Sequence, residues 1–343
     1  MNGYERISAA FSGVETDRVP MMLHNFMQAA AATGMTMEEY RESPKNIAKA
    51  HVDMARKYDL DGVLIDVDTC ILASAVGVPV DYPIDLPARV IDNLSDDVDE
   101  LIEAMDPQKV YQSDRIKIVL DAIDILKSQV KGELFIRGNC DQMGFSLTSL
   151  AYGMERLFVD MLDPEKEEKI LVLIDRATDV HLEFHKLMNQ AGADITSFGD
   201  STSGPDIISP RAYRKFAKPF HEKLNRSLRN LGIQTICHIC GRLDKIINDV
   251  AEIGFSGVEI DYKTDLVLAR DAFEGKSIVF GPIDPSGVFC LGTPELVKTE
   301  TERVLQVFNG QGIVIGAGCA LPSETPDRNI RAFVNAVTAF NNL

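Results

Sequence analysis

Two kinds of hydrophobic pattern alternate along the chain. Short runs rich in β-branched residues, each ending in polar residues, are followed by longer stretches in which apolar residues recur at helical spacing. Such alternation is typical of parallel βα units. We predict eight strands, at Val19–His24, Gly62–Asp68, Glu133–Cys140, Asp194–Ser201, Gln234–Cys240, Gly257–Tyr262, Ser277–Asp284 and Gly312–Cys319.

Eight βα units in 343 residues predict an α/β fold, a (β/α)8 TIM barrel, with an N-terminal helical extension around Gly3–Ser12. The segment Asp81–Asp99, rich in proline and acidic residues, is predicted to be a long loop followed by a helix. No linker divides the chain, so residues 1–343 are predicted to form a single domain. A hydroxyl residue followed by proline marks three helix starts, at Ser209-Pro210, Thr293-Pro294-Glu295 and Thr325-Pro326-Asp327.

Composition narrows the class of protein. A hydrophobic content of 45% is enough for a large core, and a formal charge of -17 without a basic stripe argues against nucleic acid as a partner. No apolar run has the length of a membrane span, and Met1–Arg6 lacks the pattern of a signal peptide, so we expect no membrane contact and a cytoplasmic location. Six scattered cysteines then favour free thiols or metal ligands over disulfides.

Polar residues end all eight predicted strands. Because the carboxyl ends of barrel strands form one rim, where barrel enzymes place their active sites, these residues are candidates for function. An aspartate at a strand end more often holds a turn than touches a substrate, and His24 and the nearby Gln28 are equally suited to capping. We single out Asp200 and Asp261 as candidate catalytic residues. The complete set is His24, Asp66, Asp68, Asn139, Cys140, Asp200, His238, Cys240, Asp261, Asp284 and Cys319.

Three of these residues predict a metal site. In a strand the side chains at i and i+2 share a face, so His238 and Cys240 point the same way, and Cys319 brings a second thiolate from the eighth strand. One imidazole and two thiolates suit Zn²⁺, and the lack of paired Cys-x-x-Cys knuckles favours a catalytic site with an open position. Asp261, which is nearer the rim, is preferred as the fourth ligand over Glu259; water or substrate is a further alternative.

The chain resembles the uroporphyrinogen decarboxylase superfamily, and within it the zinc-dependent methyltransferases of the methylcobamide:coenzyme M type. The resemblance implies that His238, Cys240 and Cys319 are zinc ligands and that the acidic ligand of related thiol methyltransferases falls at Asp261. It covers nearly the whole length, and it depends on Thr16–Pro20, Gly199–Ser201, Ile208–Tyr213, His238–Gly241 and Gly316–Cys319.

What this resemblance implies is a zinc-dependent methyltransferase that moves a methyl group between a corrinoid (methylcobalamin) and a small substrate. The substrate is either a thiol such as coenzyme M, acting as acceptor, or a methoxylated or methylated compound, acting as donor. The chain contains no cobalt-ligating Asp-x-His-x-x-Gly segment, so the corrinoid is expected on a partner protein. The direction of transfer stays open.

Two alternatives remain. The arginine-bearing element of the decarboxylases aligns with Phe26–Ala31, where Met27 and Ala31 replace the arginines that bind acidic porphyrinogens, which argues against a decarboxylating lyase. The second alternative is a non-catalytic, zinc-containing barrel that binds a small molecule.

Overall fold

A closed ring of parallel strands forms the centre of the structure, a computed structural model in which residues 1–340 are described. Each strand pairs with the next one along the chain, and Met21 pairs with Ile315 to bring the two ends of the ring together. The predicted TIM barrel is therefore confirmed. Its strands are β1 (Met22–Leu23), β2 (Gly62–Ile65), β3 (Phe135–Gln142), β4 (Ile195–Gly199), β5 (Thr235–Ile239), β6 (Gly257–Ile260), β7 (Ile278–Ile283) and β8 (Ile313–Ala317).

Helices surround this ring. They span Gly3–Phe11, Phe26–Ala32, Met37–Arg41, Pro44–Tyr58, Ile71–Val76, Val98–Ala104, Gln108–Gln112, Asp114–Val130, Gly144–Tyr152, Met154–Asp160, Glu167–Gln190, Pro210–Phe216, Lys218–Asn230, Ile247–Ile253, Leu266–Phe273, Pro294–Phe308 and Asp327–Phe340, with a π-helical turn at Pro285–Cys290. Within residues 1–340, every helix is too short or too polar to cross a bilayer.

Two of the predicted helix starts are confirmed in detail. The Ser209 hydroxyl accepts a hydrogen bond from the Ala212 N–H at 3.1 Å, and the Thr293 hydroxyl accepts one from the Leu296 N–H at 3.3 Å. These bonds satisfy N–H groups that have no partner within the helix. The last helix begins at Asp327, the third residue of the predicted Thr325-Pro326-Asp327 start, and the Thr325 hydroxyl donates to the Pro322 carbonyl rather than capping the helix.

The segment predicted as a long loop contains a two-stranded antiparallel ribbon, Val80–Asp81 with Arg89–Val90. The prediction of a plain loop was wrong there, since Val80 pairs with Val90 and Asp81 with Arg89; the Arg89 and Asp81 side chains form an exposed ion pair at 2.9 Å. Arg41 holds the tip of the ribbon by donating to the backbone carbonyls of Tyr82, Pro83 and Leu86. The helix predicted after this segment is Val98–Ala104.

The barrel interior has an apolar layer at its amino-terminal end. Ile7, from the N-terminal helix, packs against this layer, and the Gly3–Phe11 helix is fastened by Arg6, which is ion-paired with Asp17 and Asp61. The layer consists of Ile7, Met22, Leu64, Phe135, Ile195, Ile236, Phe280 and Val314. Because inward-facing positions recur every second residue, the next layer toward the carboxyl ends contains Arg137, Ser197, His238 and Glu259.

Buried histidines make the stability of this fold depend on pH. His51 and His181 are almost fully buried, and burial lowers the pKa of each to about 3. As the pH falls below about 6.5, the pKa of a histidine in the unfolded chain, these histidines are protonated in the unfolded chain but stay neutral in the folded protein. The free energy of unfolding is therefore unaffected by these histidines above that pH, and it decreases progressively as the pH falls toward about 3.

We expect His181→Leu to weaken this pH dependence. Each histidine contributes a slope of at most about 1.4 kcal/mol per pH unit to the free energy of unfolding, so the variant should lose that much slope between about pH 5.5 and 4. Urea denaturation at several pH values measures the slope, and the difference at pH 8 isolates the packing cost of the substitution. An unchanged slope would contradict the conclusion that burial lowers the pKa of His181.

Candidate metal centre

The structure brings together the three residues that the sequence singled out as metal ligands. One ligand atom from each of His238, Cys240 and Cys319 lies within 4.8 Å of the others, the one such group of His, Cys, Asp or Glu side chains within residues 1–340. His238 is in β5, Cys240 follows that strand directly, and Cys319 lies just beyond β8. The histidine is buried, whereas both cysteines are half-buried at the open end of the barrel.

His238 is oriented by the neighbouring strand. Its Nδ1–H donates to the backbone carbonyl of Glu259 at 3.1 Å, because the pairing of β5 with β6 places these two residues opposite each other. Its Nε2 lies 3.2 Å from Cys240 Sγ. A histidine ligand typically donates its other ring N–H to a carbonyl or carboxylate in this way, so Nε2 is the atom available to a metal.

The electrostatics of the three ligands are strongly coupled. The hydrogen bond from the Cys319 thiol, supported by the charge of His238, lowers the pKa of Cys240 to about 3 against the effect of burial. Burial opposes protonation of His238, but the Cys240 thiolate raises the pKa of this histidine to about 10. The same thiolate raises the pKa of Cys319. These interactions favour a thiolate on Cys240 and a proton on His238, which a bound metal ion would displace.

The donor set fits a metal ion of borderline softness. Two sulfur atoms and one imidazole nitrogen favour a tetrahedral ion such as Zn²⁺ over Ca²⁺ or Mg²⁺, which require oxygen ligands. The hydrogen bond from His238 to the Glu259 carbonyl fixes the orientation of the imidazole. The sulfur atoms of Cys240 and Cys319 are half-buried, which fits a metal site that is open on one side.

Asp261 lies next to the centre but is engaged elsewhere. Its Oδ2 accepts from the Gly241 N–H at 2.9 Å, and its Oδ1 accepts from the Lys263 N–H at 3.0 Å. Gly241 has a positive φ of 84°, a conformation that favours glycine. By accepting from its N–H, the Asp261 carboxylate stabilises the turn that follows Cys240. Asp261 as a fourth ligand stays a prediction.

Glu259 connects several strands below the ligands. Its side chain is only 2% exposed and is ion-paired with Arg137 of β3, on another side of the barrel. Burial disfavours its charge, but Arg137 and His24 together lower the pKa of Glu259, so the carboxylate is ionised. His24 Nδ1 lies 3.7 Å from Glu259 Oε1.

His24 follows β1 and borders the centre. Its Nε2 lies 2.8 Å from Asp66 Oδ2, and its carbonyl accepts from the Leu321 N–H at 2.7 Å, which fastens β1 to the segment after Cys319. Burial opposes the charge of His24, yet Asp66 and Glu259 raise the pKa of this histidine. Gln28 is buried and accepts from the Asn25 side chain at 3.4 Å.

Asp200 is completely buried, and both of its carboxylate oxygens have protein partners. Oδ1 accepts from the Ser146 N–H at 2.8 Å, and Oδ2 lies 2.8 Å from His221 Nε2. The Asp200 N–H donates to the His238 carbonyl at 2.8 Å. In this position Asp200 supports the end of β5, and a catalytic role for it stays a prediction.

The remaining candidates are placed around this centre. Asp68 is ion-paired with Arg115, and Asp284 caps the turn at Pro285–Cys290. Cys70, Cys140 and Cys237 are buried, as expected for incidental thiols. Cys140 therefore does not line the open end of the barrel, and Asn139 is half-buried.

Sequence reasoning missed Arg137, although a signal was present. Arg137 lies two residues after Phe135 in an apolar strand, so it faces the barrel interior, where a charged residue requires a partner. Arg115 was also missed, because its partner Asp68 lies far away in the sequence.

The comparisons with known proteins agree with this architecture. A family model for uroporphyrinogen decarboxylase (URO-D) matches residues 2–340. A methylcobamide:CoM methyltransferase of Methanosarcina acetivorans is 30% identical over 236 residues, covering 68% of this chain and 67% of that protein. Another, of Methanosarcina barkeri, is 25% identical over 343 residues, covering 96% of each.

A solved structure described as a methyltransferase from Methanosarcina mazei shares the fold, with a TM-score of 0.89, 23% sequence identity and coverage of 99% of each chain. With the family model matching almost its entire length, the chain belongs to the uroporphyrinogen decarboxylase family.

Proposed function

We propose that this protein is a zinc-dependent methyltransferase that moves a methyl group between a corrinoid carried by a partner protein and a small thiol. The observation that carries the proposal is the convergence of one imidazole and two thiol groups at the open end of the barrel. The similarity to two methylcobamide:CoM methyltransferases supports both the corrinoid and the thiol. Demethylation of a methoxylated donor would use the same centre in the opposite direction.

His238 Nε2, Cys240 Sγ and Cys319 Sγ would hold the zinc ion. When bound, zinc supplies a Lewis acid that ionises a thiol at neutral pH or makes a heteroatom a better leaving group. Glu259 keeps His238 in the required tautomer through its backbone carbonyl, and Asp261 holds the turn after Cys240. The apolar layer beneath the centre closes the barrel against water from its amino-terminal end.

We infer that the substrate heteroatom takes the fourth position. A turn of the Asp261 carboxylate toward the metal would take it from the amides of Gly241 and Lys263, and a turn of Glu259 would take it from Arg137. Both departures would strip a buried polar group of its partner, which costs free energy. A substrate that enters from the open end incurs no such cost.

The helix Phe26–Ala32 argues against the alternative of a decarboxylating lyase. Met27 and Ala31 lie in the helix Phe26–Ala32, where the decarboxylase pattern has arginines, so this helix offers no charge partner for a polycarboxylate.

The metal content of the purified protein tests the centre. We expect nearly one zinc ion per chain in the wild type and a large loss in Cys240→Ser and in Cys319→Ser, because each variant removes an anionic ligand. Cys290→Ser is the matched control, since Cys290 is half-buried but outside the ligand group. Zinc binding that is indifferent to the first two substitutions would overturn the proposed site.

Methyl transfer can be followed by the absorption spectrum of the corrinoid. With methylcobalamin as the probe and a small thiol as the acceptor, we expect the zinc-loaded wild type to demethylate the corrinoid and Cys319→Ser to leave it unchanged. The matched Cys290→Ser variant should retain the wild-type rate. A spectrum unchanged by the zinc-loaded wild type with several thiols would support the non-catalytic binding barrel instead.

Replacing each of the two carboxylates by an amide distinguishes a metal ligand from a group that only supports the ligands. If Asp261 acts only through its hydrogen bonds to the turn after Cys240, Asp261→Asn should weaken zinc binding by about 10- to 100-fold, the range for groups that orient metal ligands. Glu259→Gln leaves Arg137 buried without its carboxylate and should lower the free energy of unfolding by about 3 to 5 kcal/mol. Competition with a chromophoric chelator and urea denaturation measure the two effects. Complete loss of zinc in Asp261→Asn would instead identify Asp261 as a ligand.

A further inference from the structure

The two thiols of the metal centre come from strands that are not neighbours in the ring. Cys240 follows β5 and Cys319 follows β8, with two strands between them, yet their sulfur atoms lie within 4.8 Å of each other. A disulfide requires the sulfurs to approach to about 2.0 Å, so the two sulfur atoms must move closer before the bond can form.

The other four cysteines have no comparable arrangement. Cys70, Cys140 and Cys237 are buried, and Cys290 lies in the turn at Pro285–Cys290, outside the ligand group. Cys240 and Cys319 are both half-buried at the open end of the barrel, where a small molecule can reach them. Proximity and access therefore coincide at this one pair.

We propose that Cys240 and Cys319 are a site of oxidative modification. When the metal is absent, peroxides oxidise the two thiols to a reversible disulfide between Cys240 and Cys319. The inference rests on the proposed metal centre. Bound zinc would occupy both sulfurs and slow their oxidation, whereas the metal-free pair is free to react. Since the disulfide removes both anionic ligands, His238 alone would remain and zinc would not rebind.

The reaction balances with hydrogen peroxide as the oxidant. The Cys240 thiolate attacks one peroxide oxygen, the O–O bond breaks, and a sulfenic acid and hydroxide are formed. The Cys319 thiol then attacks the sulfenic sulfur, the S–O bond breaks, and the proton of the thiol and the departing hydroxide form water. Both sulfurs are oxidised and the peroxide is reduced. A dithiol such as dithiothreitol reverses the bond by exchange.

The test uses the full chain, stripped of metal with a chelator and treated with hydrogen peroxide. We expect peptide mapping by mass spectrometry to find Cys240 linked to Cys319, with loss of zinc binding that dithiothreitol restores. Zinc-loaded protein should form the link more slowly. Cys290→Ser is the matched control and should behave as the wild type, whereas Cys240→Ser should form no link.

Two outcomes would overturn the inference. One is over-oxidation of Cys240 without a link to Cys319, and the other is a link that joins a different pair. The result is separable from the proposed function. If the protein binds no zinc but forms the Cys240–Cys319 link, the modification site is supported and the metal centre is overturned. If it binds zinc and transfers methyl groups but does not form the link, only the modification site is overturned.

Discussion

The backbone pairing of β5 with β6 is the interaction on which the centre depends. It places the Glu259 carbonyl opposite His238, so that the histidine donates Nδ1–H and leaves Nε2 for a ligand. The Glu259 carboxylate is in turn neutralised by Arg137 from β3. An ionised carboxylate in the barrel interior is tolerable because Arg137 and His24 are its partners, since an unpaired buried charge is very costly. One residue thus joins the orientation of a metal ligand to the charge balance of the interior.

The barrel interior is divided into two parts with different roles. The layer at the amino-terminal end is apolar and contains one residue from almost every strand together with Ile7. The layers above it contain Arg137, Glu259 and His238, and they end in the sulfur atoms at the open end. Moving two residues along β5, from Ile236 to His238 and then to Cys240, leads from the hydrophobic core to the reactive surface. The fold and the chemistry therefore use successive inward-facing residues of the same chain segment.

Local pattern was enough to predict the eight strands, the N-terminal helix and the three converging ligands, because Cys240 directly follows β5 two residues after His238 and Cys319 follows the end of β8. Contacts across the ring were not predictable in this way. The engagement of Asp261 with Gly241, the pairing of Arg137 with Glu259 and the burial of Asp200 against His221 depend on which strands face one another. The ribbon at Val80–Val90 was missed for a similar reason, since its two short strands pair across the residues between them.

The ring closes between its first and last strands. Met21 pairs with Ile315, and the His24 carbonyl accepts from the Leu321 N–H. During synthesis on a ribosome, a chain that has made seven strands still lacks β8, the second neighbour of β1, and the second thiol of the centre. Such contacts between distant parts of the sequence form late and slow the search for the native state. Metal capture by all three ligands thus becomes possible only after the eighth strand has emerged, which couples maturation of the centre to completion of the barrel.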